Sequence, residues 1–127
     1  MPDINGQLIT EKSLQKQTPT LFLFFDSGCE LCHEELKQIN ENREQLQKGQ
    51  IVFFSTETTE KIQDFLNSIA FHRQPNQFFL VDTNEELVKT MEIKGTPTAI
   101  IYDKDGKQIK RFNGPITVET LLKYLFE

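Results

Sequence analysis

Apolar residues fall along this chain in two rhythms. Residues 20–25, TLFLFF, are apolar at nearly every position, as are IVFFS at 51–55, FFLVD at 78–82 and TAIIYD at 98–103. Short runs with no alternation predict strands buried on both faces of a sheet. Between them the apolar residues recur at helical spacing. Cys32, Leu36, Ile39 and Leu46 share one face, with Arg43 breaking the stripe, so one helix is expected to run on to Gly49. Ile62, Phe65, Leu66 and Ile69 mark a second helix, entered through Thr58 or Thr59. Thr83-x-x-Glu86 reads as a capping box with Leu87, Val88 and Met91 buried behind it, and QPNQ at 74–77 reads as a loop. Thr117 starts a last helix carrying Leu121, Leu122, Leu125 and Phe126. Asn5-Gly6 is a two-residue hairpin signal. The KDGK at 104–107 should turn the 98–103 strand into a partner at 107–112, whose Lys107, Lys110 and Arg111 suit a sheet edge. The order of elements predicts one α/β domain over residues 1–127, with a central mixed β-sheet and helices on both faces.

Composition narrows the function. The formal net charge is -5, which makes nucleic acid or an anionic membrane surface a poor partner. Eleven phenylalanines and no tryptophan point to an aromatic interior. No apolar stretch approaches the roughly 20 residues of a membrane-spanning helix. The chain opens without a basic-then-apolar leader.

The chemistry concentrates in Cys29-Glu30-Leu31-Cys32-His33, which contains both cysteines of the chain. C-x-x-C-H fits a c-type haem attachment site, half of a zinc site, or a redox dithiol with the histidine incidental. Small haem c domains are mostly helical, whereas this chain spends its apolar residues on strands, and only Met1, Met91 and His72 remain as a distal ligand. Zinc takes about four ligands, and Cys29, Cys32, His33 and His72 form a ragged set. Two structural thiols without chemistry are a further alternative. The placement favours the dithiol: the cysteines follow a buried strand and open a helix, where free N–H groups and the helix dipole favour a thiolate. A thiolate attacks disulfides, and a second cysteine two residues on can resolve the mixed disulfide.

The segments LFLFFDSGCELCHEEL and KGTPTAIIYDKDGKQIKRFNG together resemble the thioredoxin superfamily. The opening DINGQLITEKSL and the added helix and strand are most similar to its TlpA/ResA-like thiol-disulfide oxidoreductases. The resemblance covers nearly the whole chain and implies a thioredoxin-like fold. It implies Cys29 as nucleophile, Cys32 as resolving cysteine, and Pro97 as a cis-proline facing the dithiol, where Thr96 and Pro97 meet a bound peptide. Read without the resemblance, Pro97 is a strand-start proline. Glu35 matches the family's acid near the cysteines and is a candidate to exchange a proton with Cys32; the alternative is a solvated helix glutamate, as Glu34 is expected to be.

Four positions depart from the family pattern. Gly28 stands where a tryptophan often precedes the first cysteine, and Lys37 where a proline usually kinks the helix. Leu23 replaces the buried acid of thioredoxin proper. Asp26 replaces the threonine that a peroxidatic cysteine requires. Glu30 places negative charge beside a would-be thiolate, opposite to the arrangement in strong oxidants. A monomeric reductant of protein or peptide disulfides is therefore expected, with no cofactor or metal and with an upstream thiol as electron donor. A disulfide isomerase and an inactive binding module on the same fold are the alternatives. The family further implies a bacterial periplasmic or cell-envelope location, with a leader preceding the sequence given; the cytoplasm stays open.

Overall fold

Five strands form one mixed sheet in a computed structural model that describes residues Met1 to Glu127. The strands are β1 (Thr20–Phe24), β2 (Gln50–Ser55), β3 (Gln77–Val81), β4 (Thr98–Tyr102) and β5 (Gln108–Asn113). They lie in the order β3-β2-β1-β4-β5. β1 runs parallel to β2, with Phe24 opposite Phe54, and antiparallel to β4, with Phe24 opposite Thr98. β2 and β3 are parallel, and β4 and β5 are antiparallel.

Burial on both faces explains the unbroken apolar runs. Leu21, Leu23, Ile51, Phe53, Ala99 and Ile101 point to one face, against α1 (Glu30–Glu41), α2 (Thr59–Ser68) and α4 (Val118–Phe126). Phe24, Val52, Phe54 and Leu80 point to the other face. There they meet α3 (Glu86–Thr90) and the N-terminal segment through Met1, Ile9 and Leu14. Phe53 stacks on Phe79 with ring centroids 4.5 Å apart, and Phe71 meets both rings edge-on.

Both sheet edges are managed. Residues 2–4 cover β3, with the Ile4 N–H donating to Phe79 O and the Val81 N–H to Pro2 O. The Asn5-Gly6 turn forms, with Gly6 at φ +80°, and its arms pair through a bridge between Pro2 and Leu8, the Asp3 N–H donating to Gln7 O and the Ile9 N–H to Met1 O. β5 is largely exposed, and a bulge at Ile101/Tyr102 turns Ile109 to solvent.

Two sequence expectations change. The first helix ends at Glu41, because the Asn42 side chain donates to Gln38 O at 2.8 Å and the chain tightens into a 3-10 turn over Arg43–Leu46. Gly49 lies beyond that turn, where a Cβ would sit 3.1 Å from Pro19 O and 3.2 Å from the Phe126 ring. The capping box at Thr83 is absent. Asp82 holds the start of α3 instead, accepting the N–H groups of Glu86, Leu87 and Val88 at 2.8, 3.0 and 3.1 Å. Leu87, Val88 and Met91 are half-buried rather than buried. Thr58 and Thr117 cap α2 and α4 through their hydroxyls.

Candidate active site

The register of β1 builds the site. Its C-terminal end lies beside the start of β4, so the loop from Phe25 to Cys29 is brought next to the loop from Lys94 to Pro97. Cys29 is itself the N-cap of α1, with extended backbone (φ -98°, ψ 113°). Its Sγ accepts the Cys32 N–H at 3.2 Å, one of the helix N-terminal donors that would otherwise lack a partner. Cys29 is half-buried, whereas Cys32 is 0% exposed, and both are free thiols. Burial pushes the Cys32 thiol well up from the ordinary range, and the neighbouring Cys29 sulfur adds to that. The Asp26 backbone and the Thr96 side chain act on the same sulfur in the opposite sense.

The Thr96–Pro97 peptide is cis, Pro97 is buried, and the Thr98 hydroxyl closes the loop on Gly95 O at 2.6 Å. A groove of about 260 Å³ runs past Lys94, Thr96 and Pro97 to Asn113 and Gly114. Thus Cys29 and Cys32 meet at the start of α1, and the Thr96 side chain reaches the Cys32 sulfur, with Pro97 next in the chain.

Glu35 sits on the buried side of α1, 4% exposed. Its Oε1 accepts the Ile116 N–H at 3.2 Å from the loop before α4, and its Oε2 is buried with no hydrogen-bond partner. Burial raises its pKa to about 7, against the opposing pull of the Ile116 N–H. The carboxylate makes no hydrogen bond to either sulfur; it faces a shallow cavity of about 240 Å³ lined by Leu31, Glu34, Pro115 and Ile116. Glu34 is exposed. The roomiest cavity, about 620 Å³, lies at the N-terminal turn between Asp3, Phe71 and Arg73 and shares no residue with the cysteines; the chemistry lies elsewhere.

Three residues to which the dithiol reading gives no part, Ser27, His33 and Glu57, also converge here. Ser27, two residues before Cys29, donates its N–H to Glu57 Oε1 at 2.8 Å and its hydroxyl to Glu57 Oε2 at 2.5 Å. The His33 ring lies 2.8 Å from Ser27 O through Nε2, and packs on Phe65 with centroids 4.4 Å apart. The C-x-x-C-H spacing singles out His33, but nothing local in sequence points to Glu57.

A family model described as a thioredoxin-like domain matches residues 7–127. The chain belongs to the thioredoxin-like family. Among curated relatives of this thioredoxin-like protein, the thiol-disulfide oxidoreductase YkuV of Bacillus subtilis is 26% identical over 122 residues, covering 88% of the chain and 81% of YkuV. The thiol-disulfide oxidoreductase ResA of Bacillus thuringiensis is 27% identical over 128 residues, covering 97% of the chain and 70% of ResA. A secreted Mycobacterium tuberculosis disulfide oxidoreductase has the same fold, with a TM-score of 0.82 at 16% identity over 98% of this chain and 91% of its own. With the Cys29-x-x-Cys32 pair in place, this thioredoxin-like protein is a thiol-disulfide oxidoreductase.

Proposed function

We propose that residues 1–127 act as one thioredoxin-like domain that reduces disulfides in proteins, with Cys29 as nucleophile and Cys32 as resolving thiol. One observation carries this reading: a half-buried Cys29 sulfur at a helix N-terminus, directly above a Cys32 that solvent cannot reach. The Cys29 thiolate attacks one sulfur of the substrate disulfide. A Cys29–substrate S–S bond forms, and the other substrate sulfur leaves as a thiolate that takes up a proton. Cys32 then gives up its proton and attacks Cys29 Sγ, closing the protein disulfide and releasing the second substrate thiol. Two electrons and two protons pass from the dithiol to the substrate. An upstream thiol donor returns the protein to the dithiol form.

The raised Cys32 thiol stays protonated and buried, so it does not compete with Cys29 for the substrate disulfide. Glu35, with a pKa of about 7, holds or accepts a proton near neutrality on the buried side of the helix that carries Cys32, and is suited to exchange a proton with it. Thr96 and Pro97 line a groove that takes an extended substrate segment. Placing the reaction outside the cytoplasm draws on the secreted Mycobacterium tuberculosis neighbour. Haem attachment is disfavoured by geometry, since Cys32 is sealed from solvent and the His33 ring is occupied by Ser27 and Phe65.

Reduction of insulin in the presence of dithiothreitol tests the reading. Turbidity should rise faster with the protein than with dithiothreitol alone, and Cys29→Ser should abolish the gain. Wild-type protein that leaves the dithiothreitol rate unchanged would sink it.

A further inference from the structure

The segment that delivers the chain to Cys29 has little packing to hold it. Gly28 is exposed, and a Cβ there would meet nothing within 4 Å. Polar contacts grip Ser27 from two sides instead. Glu57 takes both the Ser27 N–H and the Ser27 hydroxyl, and is itself anchored to Ser55, a fully buried residue at the end of β2, by bonds of 3.1 and 3.2 Å. On the other side is His33. A carbonyl oxygen cannot donate, so the 2.8 Å contact requires that Nε2 carry the hydrogen and donate to Ser27 O. His33 also belongs to the first turn of α1, where its N–H donates to Cys29 O at 3.2 Å. One residue therefore ties the incoming loop to the helix turn that Cys29 caps, and Phe65 braces its ring.

We propose that His33 is a positioning residue for the dithiol: by donating to Ser27 O against the Glu57 grip, it fixes the backbone that keeps Cys29 Sγ on the Cys32 N–H. The inference rests on the reading of Cys29 as the attacking thiol. Without the donor, the Ser27 carbonyl turns to water, the Ser27–Gly28 segment gains freedom, and the Cys29 sulfur spends less time at the helix N-terminus. A thiolate held there less often is formed less readily and reacts more slowly.

The test is the rate of carboxamidomethylation of Cys29 in the reduced protein, followed by peptide mass from pH 5 to pH 10. His33→Phe keeps an aromatic ring against Phe65 and removes the donor. His33→Gln keeps an N–H donor at similar reach and removes the ring and any positive charge. Asp26, Glu30 and Glu57 surround the loop unchanged in both. His33→Phe should move the rate profile to higher pH and slow alkylation at pH 7 about fivefold, the worth of one hydrogen bond. His33→Gln should restore the wild-type profile. Wild-type behaviour in His33→Phe overturns the proposal. So does a His33→Gln variant as slow as His33→Phe, because the ring or its charge would then be acting rather than the bond to Ser27. If His33→Phe does not fold, His33→Leu takes its place under the same criteria. Alkylation needs no turnover, so failure of the wild-type protein to reduce insulin would count against the oxidoreductase reading and leave this comparison standing.

Discussion

Burial sets Glu35 and Cys32 apart from Cys29. Glu35 has one oxygen on the Ile116 N–H and one without a partner, so ionising it in the folded state is unfavourable, and its pKa rises from 4.5 to about 7. Between those values the native protein binds a proton that the unfolded chain has released. Stability is therefore full below pH 4.5, falls as pH rises, and levels off above about 7, a loss on the order of 3 kcal/mol. Urea unfolding at pH 5 and pH 8 should show that slope in the wild type and much less of it in Glu35→Gln. Glu34→Gln, one residue away and exposed, should leave it unchanged; equal slopes in all three would mean that Glu35 ionises freely. The cysteines separate in the same manner. Cys32 is 0% exposed with its thiol pushed up, while Cys29 reaches the surface. Iodoacetamide at neutral pH should label Cys29 first and Cys32 only after unfolding. Faster labelling of Cys32 would reverse the assigned roles.

At the level of elements, local sequence identified what is decided locally. Continuous apolar runs marked four strands because the sheet is covered on both faces, and helical spacing marked α1, α2 and α4 because each buries a single stripe. Boundaries failed where one polar side chain decided between alternatives. Asn42 ends α1 by taking Gln38 O, against an apolar pattern that continues to Leu46. Asp82, rather than Thr83, starts α3, because its carboxylate reaches three N–H groups of the first turn while Thr83 faces solvent. This predicts that Asp82→Ala lowers the unfolding free energy by about 2 kcal/mol, the upper end for a lost cap. Thr83→Ala should change it by less than about 0.5 kcal/mol, as for an ordinary surface substitution. Denaturation of both variants in urea would settle the matter, and a larger loss from Thr83→Ala would restore the capping box.

The whole molecule supplies what no local window contains. The cysteines were legible because C-x-x-C lies within one helical turn, but their surroundings come from strand pairing. Parallel pairing of β1 with β2 sets Phe24 beside Phe54, which brings the following Ser27 and Glu57 within hydrogen-bonding reach across thirty residues. Antiparallel pairing of β1 with β4 sets Phe24 beside Thr98 and so delivers Thr96 and Pro97 to the same end of the sheet. The half-buried Cys29 thiol reaches the surface while the Cys32 thiol is sealed beneath it, which makes the two halves of the reaction separable by mutation. Cys32→Ser leaves Cys29 able to attack a substrate disulfide but removes the thiol that would release it. In that variant the mixed disulfide should persist, and non-reducing electrophoresis after incubation with a disulfide-bonded protein should reveal a covalent adduct that dithiothreitol dissolves. Cys29→Ser should form none, because the remaining Cys32 is buried and its thiol resists ionisation. Adducts from Cys29→Ser but not from Cys32→Ser would exchange the nucleophile and the resolving thiol. Adducts from neither would leave the fold without the protein-disulfide chemistry proposed for it.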